Sequence, residues 1–231
     1  MKKLGLIGGT GPESTIVYYK EITGGVQKQL NQNVFPPLSI ESLSVFEVLK
    51  YCNNQDYDGL LQYLLSGINN LAGAGAEYAA LTGITPHIVY EDLSKKSPIP
   101  IISMVGTACE FSKKKHHQKI ALLGTLPTMK GSFFQKEFAI NNISVITASE
   151  KEMSFISNKI EKELEFGIVN DATVQELKGI SLRLYEEEKV DAIVLGCTEL
   201  PLAFDNIDLP IEKMDVMRIH IEALISLILS E

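Results

Sequence analysis

The chain has 231 residues, 45% of them hydrophobic and 22% charged, a globular composition long enough for one large domain or two small ones. Its formal net charge of −8 argues against a surface that tracks nucleic-acid phosphates, which needs clustered Lys and Arg. The three cysteines, Cys52, Cys109 and Cys197, lie far apart in sequence, so neither zinc nor redox spacing occurs, and an odd number suits a reducing compartment.

The first predicted element is a buried strand over residues 4–7. It stops at Gly8-Gly9, too short for a signal core, and no later apolar run reaches membrane length. A cytoplasmic protein with no membrane association is therefore expected. An amphipathic helix follows over about 14–30, with Glu13 and Ser14 as capping candidates. Strands at 38–42 and 78–81 flank a helix over 57–71, whose Leu60, Leu61, Leu64, Leu65 and Ile68 make one apolar face. Further strands are predicted at 99–104, 119–123, 144–147 and 192–195. The basic run Lys113-Lys114-Lys115-His116-His117 reads as the solvated end of a helix. Helices over about 170–188 and 220–230 complete the pattern.

Short apolar strands alternating with helices predict an α/β protein with parallel sheets. The chain also repeats itself weakly. Leu4-Gly5-Leu6-Ile7-Gly8 recurs as Ile120-Ala121-Leu122-Leu123-Gly124, and Tyr78-Ala79-Ala80-Leu81 as Ile193-Val194-Leu195-Gly196. Ile99-Pro100-Ile101 recurs as Leu209-Pro210-Ile211. Three matches in order predict two similar α/β halves, residues 1–98 with 212–231 and residues 99–211, with the active site in the cleft between them. Ligands of such sheets bind at the carboxyl ends of strands.

Three strand-end loops carry candidate chemistry. Gly8-Gly9-Thr10-Gly11-Pro12-Glu13-Ser14-Thr15 is neither a dinucleotide fingerprint nor a Walker loop, but it can offer N–H groups at a helix start to a carboxylate. Gly196-Cys197-Thr198-Glu199-Leu200-Pro201 places a cysteine after an apolar strand, among N–H donors that favour a thiolate. The corresponding loop of the first half is Leu81-Thr82-Gly83-Ile84-Thr85-Pro86-His87, where His87 reads as a helix cap or a backbone partner rather than a base.

Taken in order, Leu-Gly-Leu-Ile-Gly-Gly-x-x-x-Glu-Ser-Thr, Thr-Pro-His and Leu-Gly-Cys-Thr-Glu-Leu-Pro resemble the aspartate/glutamate racemase family. The segment from Asp215 to Ala223 resembles that family's C-terminal part. The resemblance covers nearly the whole chain. It implies a two-half α/β fold, a homodimer, an amino acid or related carboxylate as ligand, and no pyridoxal phosphate or metal. It also implies a two-base reaction, in which one cysteine removes the α-proton and a second returns a proton to the opposite face. Because the α-C–H is a very weak acid, the carbanion-like state needs its carboxylate held by N–H and hydroxyl donors.

Cys197 matches the second-half cysteine of that pair. The first-half position falls on Gly83 when counted back from His87, and on Thr82 when the repeat is aligned on Pro86 and Pro201. Either way the first cysteine is absent, and a Thr82 hydroxyl is far less acidic than a thiol. Cys197 and Thr82 are thus the catalytic candidates, with Thr10, Gly83, Ile84, Thr85, Thr198 and Glu199 as substrate-binding candidates. Some aspartate-using members also carry an Arg after the second strand and a Lys in the second half. Here residues 42–49 hold no Arg, and Glu165 stands near the place of the Lys, so a clamp for an acidic side chain is missing. Three activities stay open: a racemase working through Cys197, a single-cysteine decarboxylase of malonate-type acids, and a small-acid binding protein without catalysis.

Overall fold

The computed structural model describes residues 1–205 and 207–230. The chain forms two compact units, Met1–Thr107 with Met217–Glu231, and Ala108–Val216.

In the first unit, β1 (Leu4–Gly8) is buried along its whole length, as a central parallel strand covered on both faces must be. It leads through a glycine turn into α1 (Pro12–Leu30). Then come β2 (Leu38–Ser42), α2 (Val45–Asn53), α3 (Tyr57–Gly73), β3 (Tyr78–Leu81), a 3-10 turn (Thr85–Val89), α4 (Tyr90–Lys96) and β4 (Ile101–Ile102). The four strands are parallel in the order β2-β1-β3-β4. Asp56 caps α3 by accepting the Gly59 N–H at 2.8 Å, and the apolar face of α3 packs on the sheet with Ile7, Ala79 and Leu81.

In the second unit the same design recurs. Between α5 (Met104–Lys114) and α11 (Val216–Leu229) run β5 (Lys119–Leu123), α6 (Leu126–Lys130), α7 (Ser132–Ile140), β6 (Ser144–Thr147), α8 (Glu150–Lys162), a 3-10 turn (Leu164–Phe166), α9 (Asp171–Glu188), β7 (Ala192–Leu195), α10 (Leu200–Phe204) and β8 (Glu212–Asp215). Again all strands are parallel, in the order β6-β5-β7-β8. A capping box fixes the start of α8: the Ser149 hydroxyl accepts the Glu152 N–H, and the Glu152 carboxylate accepts the Ser149 N–H at 2.8 Å.

Four expectations change. The unit boundaries fall inside α5 and α11, not at 98/99 and 211/212. The expected strand at 99–104 shortens to Ile101–Ile102 and pairs with β3, so it belongs to the first sheet. Residues 212–215, expected in the first half, form β8 on β7 instead; the run Glu-Lys-Met-Asp is too polar to announce a strand, and only Met214 is buried in it. Finally, Glu13 and Ser14 do not cap α1. The helix starts at Pro12 after Gly11, and the Ser14 and Thr15 hydroxyls donate back to the Gly11 carbonyl at 2.8 and 2.9 Å.

Candidate active site

At the carboxyl end of β1 the chain turns sharply. Gly9 has φ +74°, and a Cβ there would lie 2.0 Å from the Leu43 carbonyl oxygen, so both conformation and space demand glycine. Its N–H donates to Thr15 Oγ1 at 3.0 Å and is therefore engaged within the loop. Thr10 follows. Its Oγ1 is buried without a hydrogen-bond partner.

Beside this turn, β3 ends at Leu81, which pairs with Ile7. The next residue, Thr82, is fully buried, and both its N–H and its hydroxyl donate to the Ile7 carbonyl at 3.0 Å. Thr82 Oγ1 also lies 3.3 Å from Thr15 Oγ1. The hydroxyl thus ties β3 to β1. Gly83 comes next, and a Cβ built on it would meet Thr10 Oγ1 at 3.0 Å and the Thr10 carbonyl oxygen at 3.1 Å. Ile84 is buried and precedes the 3-10 turn that Thr85 opens.

His87 in that turn is buried and neutral. Its Nε2 accepts the Met104 N–H at 3.1 Å, which leaves Nδ1 to donate to the Gly83 and Ile84 carbonyls at 3.2 Å. Burial lowers its pKa to about 4. It is a backbone partner, as its sequence context suggested. A second buried imidazole was not singled out from the sequence. His220 Nδ1 accepts the Tyr18 hydroxyl at 2.7 Å, and its Nε2 donates to the Ile102 carbonyl at 3.1 Å. Burial, and next the nearby His87, lower its pKa to about 3.

The second unit repeats the strand-end geometry. Leu195 ends β7 opposite Leu123, and the Gly196 N–H donates to the Leu123 carbonyl at 2.7 Å. This is the same ladder step that Thr82 makes to Ile7. Thr82 is therefore equivalent to Gly196, and Gly83 to Cys197. The register decides between the two sequence alignments in favour of Gly83.

Cys197 is half-buried and its thiol donates to Glu199 Oε2 at 2.9 Å. Thr198 Oγ1 donates to the same carboxylate at 2.8 Å. Burial and then the Glu199 charge push the Cys197 thiol well above its ordinary pKa. The resting state is a thiol bonded to a carboxylate. The other two cysteines are free as well, and burial raises both of their pKa values, Cys109 to about 11.

Of the residues expected to act, Cys197, Thr198 and Glu199 form one hydrogen-bonded cluster in the second unit. In the first unit Thr82 and Thr15, the latter not singled out by the sequence, lie within hydrogen-bond reach of each other, while Thr10 packs beside Gly83 with its hydroxyl unpartnered. Among the described residues no group of three or more His, Cys, Asp or Glu could hold a metal ion, and no helix is long and apolar enough to cross a membrane.

Residues 7–224 match the family model described as Asp/Glu/Hydantoin racemase. A candidate Asp/Glu racemase from Yersinia pestis, known from its crystal structure, is 29% identical with a TM-score of 0.93, each chain covered over 100%. An aspartate racemase homologue from Pyrococcus horikoshii OT3 is 31% identical with a TM-score of 0.86, again over 100% of both chains. The broad specificity amino-acid racemase RacX of Bacillus subtilis (strain 168) is 26% identical over 220 residues, 92% of each chain.

Proposed function

Because the chain belongs to the Asp/Glu/Hydantoin racemase family, we propose that it is an isomerase that inverts the α-carbon of an amino acid, with Cys197 moving the α-proton. The observation that carries this reading is the Cys197–Glu199 hydrogen bond at the carboxyl end of β7, where a parallel sheet presents its chemistry. Cys197 as a thiol is a proton donor to a carbanion. To act as a base it must first become a thiolate, and the positive α-ammonium of a bound amino acid favours that form. Thr198 holds Glu199, and Glu199 holds the thiol. As in the resemblance, the enzyme works without pyridoxal phosphate, as a cytoplasmic homodimer.

Thr82 is not the second acid in this scheme, since its hydroxyl is committed to the Ile7 carbonyl. The residue equivalent to Cys197 is Gly83, so the two-thiol arrangement is reduced to one. Proton exchange is then one-sided. Cys197 exchanges the α-proton of the L-enantiomer with solvent, and return of a proton to the other face is slow.

Deuterium wash-in at the α-carbon of L- and D-amino acids tests the reading. Faster exchange from the L-enantiomer is expected, falling about a hundredfold or more in Cys197→Ser. Equal exchange from both enantiomers, or exchange that survives the substitution, defeats it. The Gly83–Cys197 equivalence also favours a second reading, in which the single thiol protonates an enolate-like intermediate after a malonate-type acid loses carbon dioxide. Carbon dioxide release from a malonate panel, without α-proton exchange, would establish that activity instead.

A further inference from the structure

We propose that His87 is a positioning residue for the loop at 83–85: it hangs that loop from the backbone at the start of α5 and so sets the place that the missing thiol leaves. The inference rests on the racemase reading above, in which this loop is the first unit's counterpart of the Cys197 loop.

The hydrogen bonds of the His87 ring all go to backbone, and they join two separate stretches of chain. Nδ1–H donates to the Gly83 and Ile84 carbonyls, each at 3.2 Å, and Nε2 accepts the Met104 N–H at 3.1 Å. A backbone N–H can only donate, so Nε2 is the bare nitrogen and the proton sits on Nδ1. Burial lowers the pKa of the ring to about 4, which keeps it in this neutral form near pH 7. The Ile84 carbonyl accepts the His87 N–H as well, at 2.9 Å. Two successive peptide groups thus point their oxygens at one residue. Their planes fix where Gly83 stands, the position that the ladder register equates with Cys197.

The far end of the tie is itself held. The Ile101 carbonyl accepts the Tyr90 hydroxyl at 2.9 Å, and the Ile102 carbonyl accepts His220 Nε2–H at 3.1 Å. The Tyr18 hydroxyl donates to His220 Nδ1 at 2.7 Å and so keeps the His220 proton on Nε2. Between Ile101 and Met104, side chains from α4, α11 and the 3-10 turn each bind one backbone group. The Tyr90 ring also stacks on His87, with centroids 5.5 Å apart and 19° between planes. A phenylalanine would fill the same space; what only the imidazole supplies is one donor for the loop and one acceptor for the anchor.

The two ring nitrogens can be replaced one at a time. An asparagine amide nitrogen stands where Nδ1 does and can still donate to the loop. A glutamine amide oxygen stands where Nε2 does and can still accept from Met104. The assay is α-deuterium wash-in with L-alanine, L-lysine, L-aspartate and L-glutamate on the whole protein. His87→Asn should keep kcat/KM within about threefold of the unaltered protein, and His87→Gln should lose about tenfold or more. Amide hydrogen exchange should divide in the same way. The amide of residue 87 should exchange about tenfold faster in His87→Gln only, and that of Met104 in His87→Asn only. In the unaltered protein, nitrogen-15 NMR should find the His87 proton on Nδ1. A proton on Nε2 overturns the proposal. So does an equal loss of kcat/KM in both variants, or a greater loss in His87→Asn, either of which marks His87 as merely structural. If none of the four amino acids exchanges, the racemase reading falls, and the amide pattern and the tautomer still decide whether His87 holds the loop.

Discussion

The Cys197 thiol donates to the Glu199 carboxylate at 2.9 Å, so the reacting sulfur and the charge that restrains it lie two residues apart in one loop. Burial and the Glu199 charge both oppose ionisation of the sulfur. Replacing Glu199 by Gln removes the charge and leaves the burial. The pH profile of Cys197 alkylation by iodoacetamide should then shift down by about one unit or more. An unchanged profile would show that Glu199 does not set the thiol's ionisation.

Gly83 stands where the ladder register of the second unit places Cys197. A Cβ there meets Thr10 Oγ1 and carbonyl oxygen at 3.0 and 3.1 Å, so Thr10 must yield by a few tenths of an ångström. Gly83→Cys should cost about 1–2 kcal/mol in urea unfolding. In exchange assays it should raise α-deuterium wash-in from the D-enantiomer, which the unaltered protein handles poorly. If the variant folds and D-exchange does not rise, residue 83 is not the missing acid/base position.

Two buried neutral imidazoles link stability to pH. Free histidine titrates near 6.5, and in the folded protein His87 and His220 titrate at about 4 and about 3. Each folded value lies below its unfolded one, so the unfolded chain binds more protons as acid is added. Their stabilisation is complete above about pH 6.5 and is lost as pH falls toward the folded values. Glu152 and Glu163 also have lowered pKa values, Glu163 to about 2, but a carboxylate starts to weaken the fold only below about pH 4.5. Urea midpoints should therefore already decline between pH 6.5 and 4.5, with a shallower decline in His220→Gln. A midpoint that is flat over that window contradicts the account.

The parallel sheets were legible because buried strands such as 4–8 and 192–195 are apolar runs that stop at a glycine, Gly8 and Gly196. The edge strand Glu212–Asp215 was not, since backbone pairing to β7 holds it and its side chains say little. Helix α2 went unread although Val45, Val48, Leu49 and Cys52 recur at helical spacing over its nine residues. At the site, the Cys-Thr-Glu loop and the loss of the first cysteine could be read from sequence. Which of Thr82 and Gly83 took its place could not. Weak repeats slip by a residue, and only the hydrogen bonds from Thr82 to Ile7 and from Gly196 to Leu123 fix the register. The Tyr18–His220 bond joins residues 202 apart, beyond the reach of any local pattern.

The placement of α11 has a consequence for synthesis. The helix that brings His220 to Tyr18 and Ile102 follows the whole of the second unit in the chain. On the ribosome, every strand of β6-β5-β7-β8 emerges before that helix does. The first unit, although translated first, is completed only when that helix arrives. The inserted unit is thus the one able to mature early, and the order of completion reverses the order of translation.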